Sequence, residues 1–231
     1  MLSVCLVQSG PKRQPITLSA IITVQKQCEP PNDEGRWLIA LINDTGMRLS
    51  EAAGLHNGDI NLDNKHPHIV LKAHPLRRLK TKGSDRIIPL VGAALWAATQ
   101  AVHQSKTEFL FSRYCIEDGC KANTASASIN KWWSPRVTKG GVIHSFRHSF
   151  RDRLRAVECP ADIRDRLGGW AVGGVGEGYP IEVLSKWMRS ALNSPHVLPS
   201  IQITSKAVWI PMSYLRIHQL NGVQEKVVFL P

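Results

Sequence analysis

The stretch His144–Tyr179, HSFRHSFRDRLRAVECPADIRDRLGGWAVGGVGEGY, sets the reading of the whole chain. Phe146, Phe150, Leu154 and Val157 follow one another at steps of four, four and three, the apolar stripe of one helix face. His144 and Arg147 share a neighbouring face one turn apart, and Arg151 lies a turn further on. A fixed cation and a titratable imidazole are therefore presented together at a helix start, where backbone N–H groups also favour anions. The pattern outlines a phosphate site. Downstream, Pro160 suits the first turn of a short helix through Leu167, which Gly168-Gly169 ends before Trp170. Twenty-three residues separate Arg147 from Trp170, and nine separate Trp170 from Tyr179.

A second arginine motif lies upstream in TGMRLSEAAGL, residues 45–55. Gly46 allows a tight turn, Arg48 follows it, and Glu51 stands about one turn later, in position to pair with Arg48. Between the two motifs, His68–Lys72 and Arg86–Leu90 read as short β-type runs, and Asn57-Gly58-Asp59 reads as a turn before strand-like Ile60. Their basic connection, AHPLRRLKTKGSD, carries Arg77, Arg78, Lys80 and Lys82 near its tip. A charge run of this kind is ordinarily a solvated hairpin loop.

The remaining segments read as helices. Ile16–Cys28 has Thr17 or Ser19 as a start signal, and Pro30-Pro31 ends it. Asn32 or Asp33 caps a helix with Trp37, Leu38, Leu41 and Ile42 facing inward, stopping near Gly46. Val91–Gln104 is alanine-rich with Leu95 and Trp96 expected in the core, and Phe109–Ser112 returns to that core. Ala122–Trp133 ends at Ser134-Pro135. After Pro180, a last helix aligns Ile181, Leu184 and Met188.

Composition narrows the partner. The 231 residues carry a formal net charge of +11 and a pI near 9.7, which favours a polyanion, nucleic acid ahead of an anionic membrane surface. No apolar run approaches a membrane span, and the N-terminus lacks a signal-peptide pattern, so the expected location is cytoplasmic with no membrane partner. Five cysteines at irregular positions, with Cys115 and Cys120 the close pair, read as reduced thiols rather than a zinc set. His66, His68 and His74, around Pro67 and Pro75, read as surface histidines, not a metal site. Gly173, Gly174, Gly176 and Gly178 follow no strand and lead to no Gly-Lys-Ser/Thr ending, which excludes a P-loop.

The joint order of an arginine motif, a lysine, His-x-x-Arg, tryptophan and tyrosine resembles the tyrosine recombinases, or phage integrases. Thr45-Gly46-x-Arg48-x-x-Glu51 is similar to their first arginine motif, and His144-x-x-Arg147, Trp170 and Tyr179 to their C-terminal half. The resemblance covers about residues 15–190, the catalytic domain alone, because the residues ahead of Arg48 are too few for a core-binding domain as well. It implies a mainly α fold with a small antiparallel β-sheet. The expected division is a leader or linker remnant at 1–15, the catalytic domain at 16–192, and a C-terminal tail of unassigned role at 193–231.

The resemblance also implies a reaction: site-specific cutting and rejoining of double-stranded DNA, in integration or excision of a phage or mobile element. Tyr179 would attack a backbone phosphate, giving a 3′-phosphotyrosyl bond and a free 5′-hydroxyl. Arg48 and Arg147 would clamp the phosphate, His144 would act as base or relay, and Trp170 would orient the phosphate through its indole N–H. Lys80, with Lys82 as the rival, would protonate the leaving oxygen, and Arg77, Arg78 and Lys82 would contact DNA. The energy of the ester is conserved, so no cofactor is required, and a working synapse would join several protomers. Two other readings stand beside it: a truncated, inactive remnant with weak DNA binding, and a type IB topoisomerase-like activity.

Overall fold

The computed structural model describes residues 16–28, 32–75, 77–80, 84–116, 119–136, 141–170 and 178–193. The expected leader, the tail from residue 194 onward and Lys82 lie outside them.

One buried helix forms the centre. Helix α2 (Glu34–Thr45) follows α1 (Leu18–Cys28) and is buried almost throughout, from Trp37 to Thr45. Asp33 starts α2, its side chain accepting a hydrogen bond from the Arg36 N–H at 3.0 Å. Gly46 ends it in the left-handed conformation, φ 63°, donating its N–H to Ile42 O. No other residue suits this position. A Cβ there would lie 2.3 Å from Cδ1 of Phe150, so the same glycine that turns the chain also lets a second helix press on the turn.

That second helix is α6 (Ser145–Ala156), whose Phe146, Phe150 and Leu154 are buried as their spacing predicts, while Val157 just past its end is only half-buried. Its Arg153 donates to Asp44 Oδ1 of α2 at 3.1 Å, and Asp44 Oδ2 accepts the Ala93 N–H at the start of α4 (Gly92–Gln104). One buried carboxylate thus joins three helices. Along α4, Ala93, Ala94, Ala97, Ala98 and Ala101 are buried, and these small side chains let α4 lie close against α2. Trp96 is buried as expected. Leu95 is only half-buried, packed against the core from its edge rather than within it.

Helix α3 (Leu49–Ala53) follows the Gly46 turn. Strands β1 (Ile60–Asn61), β2 (His68–Leu71) and β3 (Arg86–Pro89) then form an antiparallel sheet in the order β1-β2-β3, with Ile60 opposite Ile69 and Ile69 opposite Ile88. A two-stranded ribbon, β4 (Cys115–Ile116) and β5 (Gly119–Cys120), precedes α5 (Ala122–Trp133). Trp133 and Phe146 meet with ring centroids 4.5 Å apart, joining α5 to α6. After α7 (Ala161–Gly168), α8 (Ile181–Asn193) packs on α6 and β3, burying Leu184 and Met188. The chain is mainly α with a small antiparallel sheet, as the sequence implies. Among the described residues, no helix is long and apolar enough to cross a membrane.

One basic residue departs from its expected place. Arg77 is 2% exposed and does not belong to a solvated DNA-facing tip. Its guanidinium is paired with Asp59 and donates to Gly54 O at 3.0 Å and to Lys72 O. The connection between β2 and β3 folds back over the end of α3, where carbonyl oxygens without helical partners need a donor. Arg77 supplies it. Arg78 and Lys80 are exposed.

Candidate active site

Arg48 is the residue before α3, and its position follows from the Gly46 turn. Its backbone N–H donates to Glu51 Oε2 at 3.0 Å and its guanidinium to Glu51 Oε1, so the one carboxylate closes the helix start from both sides of Arg48. The remaining donors face outward from α3: Nη1 reaches Ser84 Oγ at 3.2 Å and Nη2 reaches Gly169 O at 3.4 Å. Arg147, a half-turn into α6, comes from the other side. Its Nη1 donates to Gly46 O and its Nη2 to the same Gly169 O at 3.4 Å. Two arginines from distant segments therefore meet at the C-terminal end of α7.

Arg86 stands behind them. It opens β3, and its side chain is fully buried, with Nη2 on Glu51 Oε2 at 2.9 Å, Nε on Leu167 O at 3.1 Å and Nη1 on Ser84 O at 2.8 Å. The sheet is thereby fixed to both α3 and α7. Gly169, φ 60°, makes room for this: a Cβ there would lie 2.7 Å from Arg86 Nη1. The sequence reading passed over Arg86. The available signal was strand parity, since Arg86 and Ile88 share one face of β3 and both are buried.

Two guanidiniums thus bond the carboxylate of Glu51 and that of Arg147 lies within its electrostatic reach, an excess of positive charge. Burial opposes ionisation of Glu51, but the charge and hydrogen bonds of Arg86, and those of Arg48, hold its carboxyl below the ordinary range. Burial also pushes Arg147 down to about 9, with the charges of Arg48 and Arg86 adding to it and Glu51 opposing. Arg147 is still protonated at neutral pH. Such a cluster is an anion receptor in its electrostatics.

Trp170 forms one wall. The Arg147 and Arg151 guanidinium carbons lie 4.7 and 5.1 Å from its ring centroid. His144 stands immediately before α6, half-buried, its ring 5.3 Å from that of His148 in an edge-on arrangement. Lys80 is exposed in the β2–β3 connection, four residues before Ser84, which touches Arg48.

Tyr179 is elsewhere. Its hydroxyl donates to Asp162 in the first turn of α7, while the arginines meet beyond the last turn of that helix. The eight residues of α7 put about 10 Å between these points at 1.5 Å per residue. The bond to Asp162 raises the Tyr179 phenol above its usual value and lowers the Asp162 carboxyl. Arg48, Arg147 and Trp170 lie together in the fold. Residue spacing carries no signal for Asp162.

Among the described residues, no group of His, Cys, Asp and Glu could hold a metal ion. The fold resembles that of the Tn1549 transposon integrase in complex with circular intermediate DNA: TM-score 0.52, 17% identity, covering 78% of this chain and 63% of that one. It also resembles the XerH site-specific recombinase bound to a palindromic difH substrate: TM-score 0.51, 18% identity, covering 84% of this chain and 54% of that one. The chain therefore spans less than two thirds of the length of either protein. No curated protein sequence matches it. Residues 17–175 match the model of the phage integrase family, and with the fold these helices and strands build, the chain belongs to that family of tyrosine recombinases.

Proposed function

We propose that this chain carries the catalytic domain of a site-specific DNA recombinase that cuts and rejoins DNA through a 3′-phosphotyrosyl intermediate, in integration or excision of a phage or mobile element. The observation that carries the reading is the meeting of Arg48 and Arg147 at one point, Gly169 O, beside Trp170. Each reaches that neutral carbonyl at 3.4 Å, a long and weak bond. A phosphate oxygen bearing charge would take those donors instead, with two planar forks gripping it. As Tyr179 attacks, negative charge grows on the non-bridging oxygens, and donors held there stabilise the transition state more than the ground state.

Proton transfers complete the cycle. The phenol is protonated at neutral pH and further stabilised so by Asp162. His144, at the same helix start as Arg147, accepts or relays its proton. Lys80, or Lys82, gives a proton to the departing 5′-oxygen. The reverse attack by a second 5′-hydroxyl restores the tyrosine, so no cofactor is consumed. The DNA-bound state of the two similar structures supports DNA as the partner. Strand exchange between two duplexes would then engage several protomers in a synapse.

The experiment uses a pool of nicked duplexes of randomised sequence, in which cleavage releases a short oligonucleotide and traps the covalent complex. The wild-type chain is expected to give a protein–DNA band that survives denaturation, and Tyr179→Phe to give none. Equal bands from both, or no band from the wild type across the pool, would remove the catalytic reading.

A further inference from the structure

Strands β4 and β5 bring Cys115 and Cys120 directly opposite one another in an antiparallel pair. The register settles which kind of pair this is. The Lys121 N–H donates to Tyr114 O at 2.7 Å, so 114 and 121 form the hydrogen-bonded pair, and the next pair inward, 115 and 120, is of the non-hydrogen-bonded kind. In such pairs the Cα atoms stand about 4.5 Å apart and the side chains approach each other. That separation falls within the window for a disulfide, about 4.4–6.8 Å. Both thiols are free.

The two sulfurs are unequal. Cys115 is buried, its Sγ 3.1 Å from Ala53 O at the end of α3, whereas Cys120 is partly exposed. The neighbouring Cys115 sulfur holds the Cys120 thiol below its usual value, while Cys120 and burial push Cys115 up. A thiolate forms first on the accessible sulfur, and its resolving partner is already beside it. The other described cysteines have no such partner nearby: Cys28 is fully buried and pushed up to about 12, and Cys159 is buried and pushed up to about 11.

We propose that Cys115 and Cys120 form a reversible dithiol–disulfide site whose reactant is a low-molecular-weight disulfide such as oxidised glutathione. The Cys120 thiolate attacks one sulfur of the reactant, forming a mixed disulfide and expelling one thiolate, which takes up the proton Cys120 lost. Cys115 then gives up its proton and attacks Cys120 Sγ, forming the intrachain bond and releasing the second small thiol. Two protein thiols are oxidised and one disulfide is reduced to two thiols, so electrons and protons balance. Closing the bond removes the thiol hydrogen that Cys115 directs at the carbonyl of Ala53, the last residue of the helix that holds Glu51.

The experiment treats the reduced full chain with oxidised glutathione, blocks remaining thiols by alkylation, and maps peptides by mass spectrometry. The wild type is expected to lose two hydrogens between Cys115 and Cys120, carry little glutathione, and revert with dithiothreitol. Cys115→Ser is expected to keep glutathione on Cys120, and native alkylation of Cys120 to outpace that of Cys28, Cys115 and Cys159 by about tenfold or more. The wild-type arm decides alone, without reference to DNA cleavage. Glutathione retained on Cys120 in the wild type as fully as in Cys115→Ser, or a Cys120 that reacts without ever linking to Cys115, would overturn the proposal.

Discussion

Arg48 and Arg147 donate to one and the same carbonyl oxygen, that of Gly169, although they stand 99 positions apart in the chain. Helix α2 and its glycine end explain how. The turn at Gly46 sends the chain into α3 with Arg48 at its start, and Arg147 anchors on the carbonyl of that same glycine. The distance between the two guanidiniums is thus governed by packing of α6 on the end of α2.

Replacing either arginine by alanine should slow covalent-complex formation by about 10²–10³-fold, the usual loss for one transition-state donor. Lysine should not restore the rate, because a point charge cannot offer the paired donors. Single-turnover cleavage of the nicked duplex measures both.

Glu51 balances Arg48 and Arg86 from a buried position, and Glu51→Gln should destabilise the fold by about 3–5 kcal/mol at neutral pH. The pH dependence has a definite sign. The folded carboxyl lies below its ordinary value of 4.5, so its contribution is complete above that value and is lost as the pH falls through the lower folded value. Thermal melts from pH 7 downward should therefore show the gap between wild type and Glu51→Gln narrowing only below about pH 4.5.

Asp162→Asn removes the charge that keeps the Tyr179 phenol protonated and parked. The phenol should titrate at lower pH in this variant, seen as an earlier ultraviolet phenolate transition once the Tyr179→Phe trace is subtracted. Covalent-complex formation should become faster, whereas a purely structural role for Asp162 would leave the titration unchanged.

Gly169→Ala places a Cβ against Arg86 in a left-handed backbone position. The backbone alone costs about 1–2 kcal/mol. Displacement of Arg86 adds to this, and denaturant unfolding should show the sum. Trp170→Ala should cost less, about 0.5–2 kcal/mol from lost stacking with Arg147 and Arg151.

Periodicity and capping made most of the fold legible. The steps between Phe146, Phe150 and Leu154 located α6, and Asp33 and Gly46 marked both ends of α2, because these signals are local. Arg77 was misread for the opposite reason. Its sequence neighbours are basic and solvated, but its partners Asp59, Gly54 O and Lys72 O are gathered only when the connection folds back over α3. The site divides the same way. Motif resemblance pointed to Arg48, Arg147 and Trp170, which lie together in the fold, while Arg86 is legible only through the inward parity of its strand. Its spacing to Trp170 singles out Tyr179, but no spacing says at which end of α7 its hydroxyl rests.

The central claim is that Tyr179 leaves Asp162 and joins DNA at a phosphate held by Arg48 and Arg147. The most direct measurement digests the trapped protein–DNA complex and identifies the residue bearing the nucleotide by mass spectrometry. The account predicts a single linked peptide, modified at Tyr179, whose yield collapses in Arg147→Ala. Linkage through any other residue, or an undiminished yield without Arg147, would contradict it.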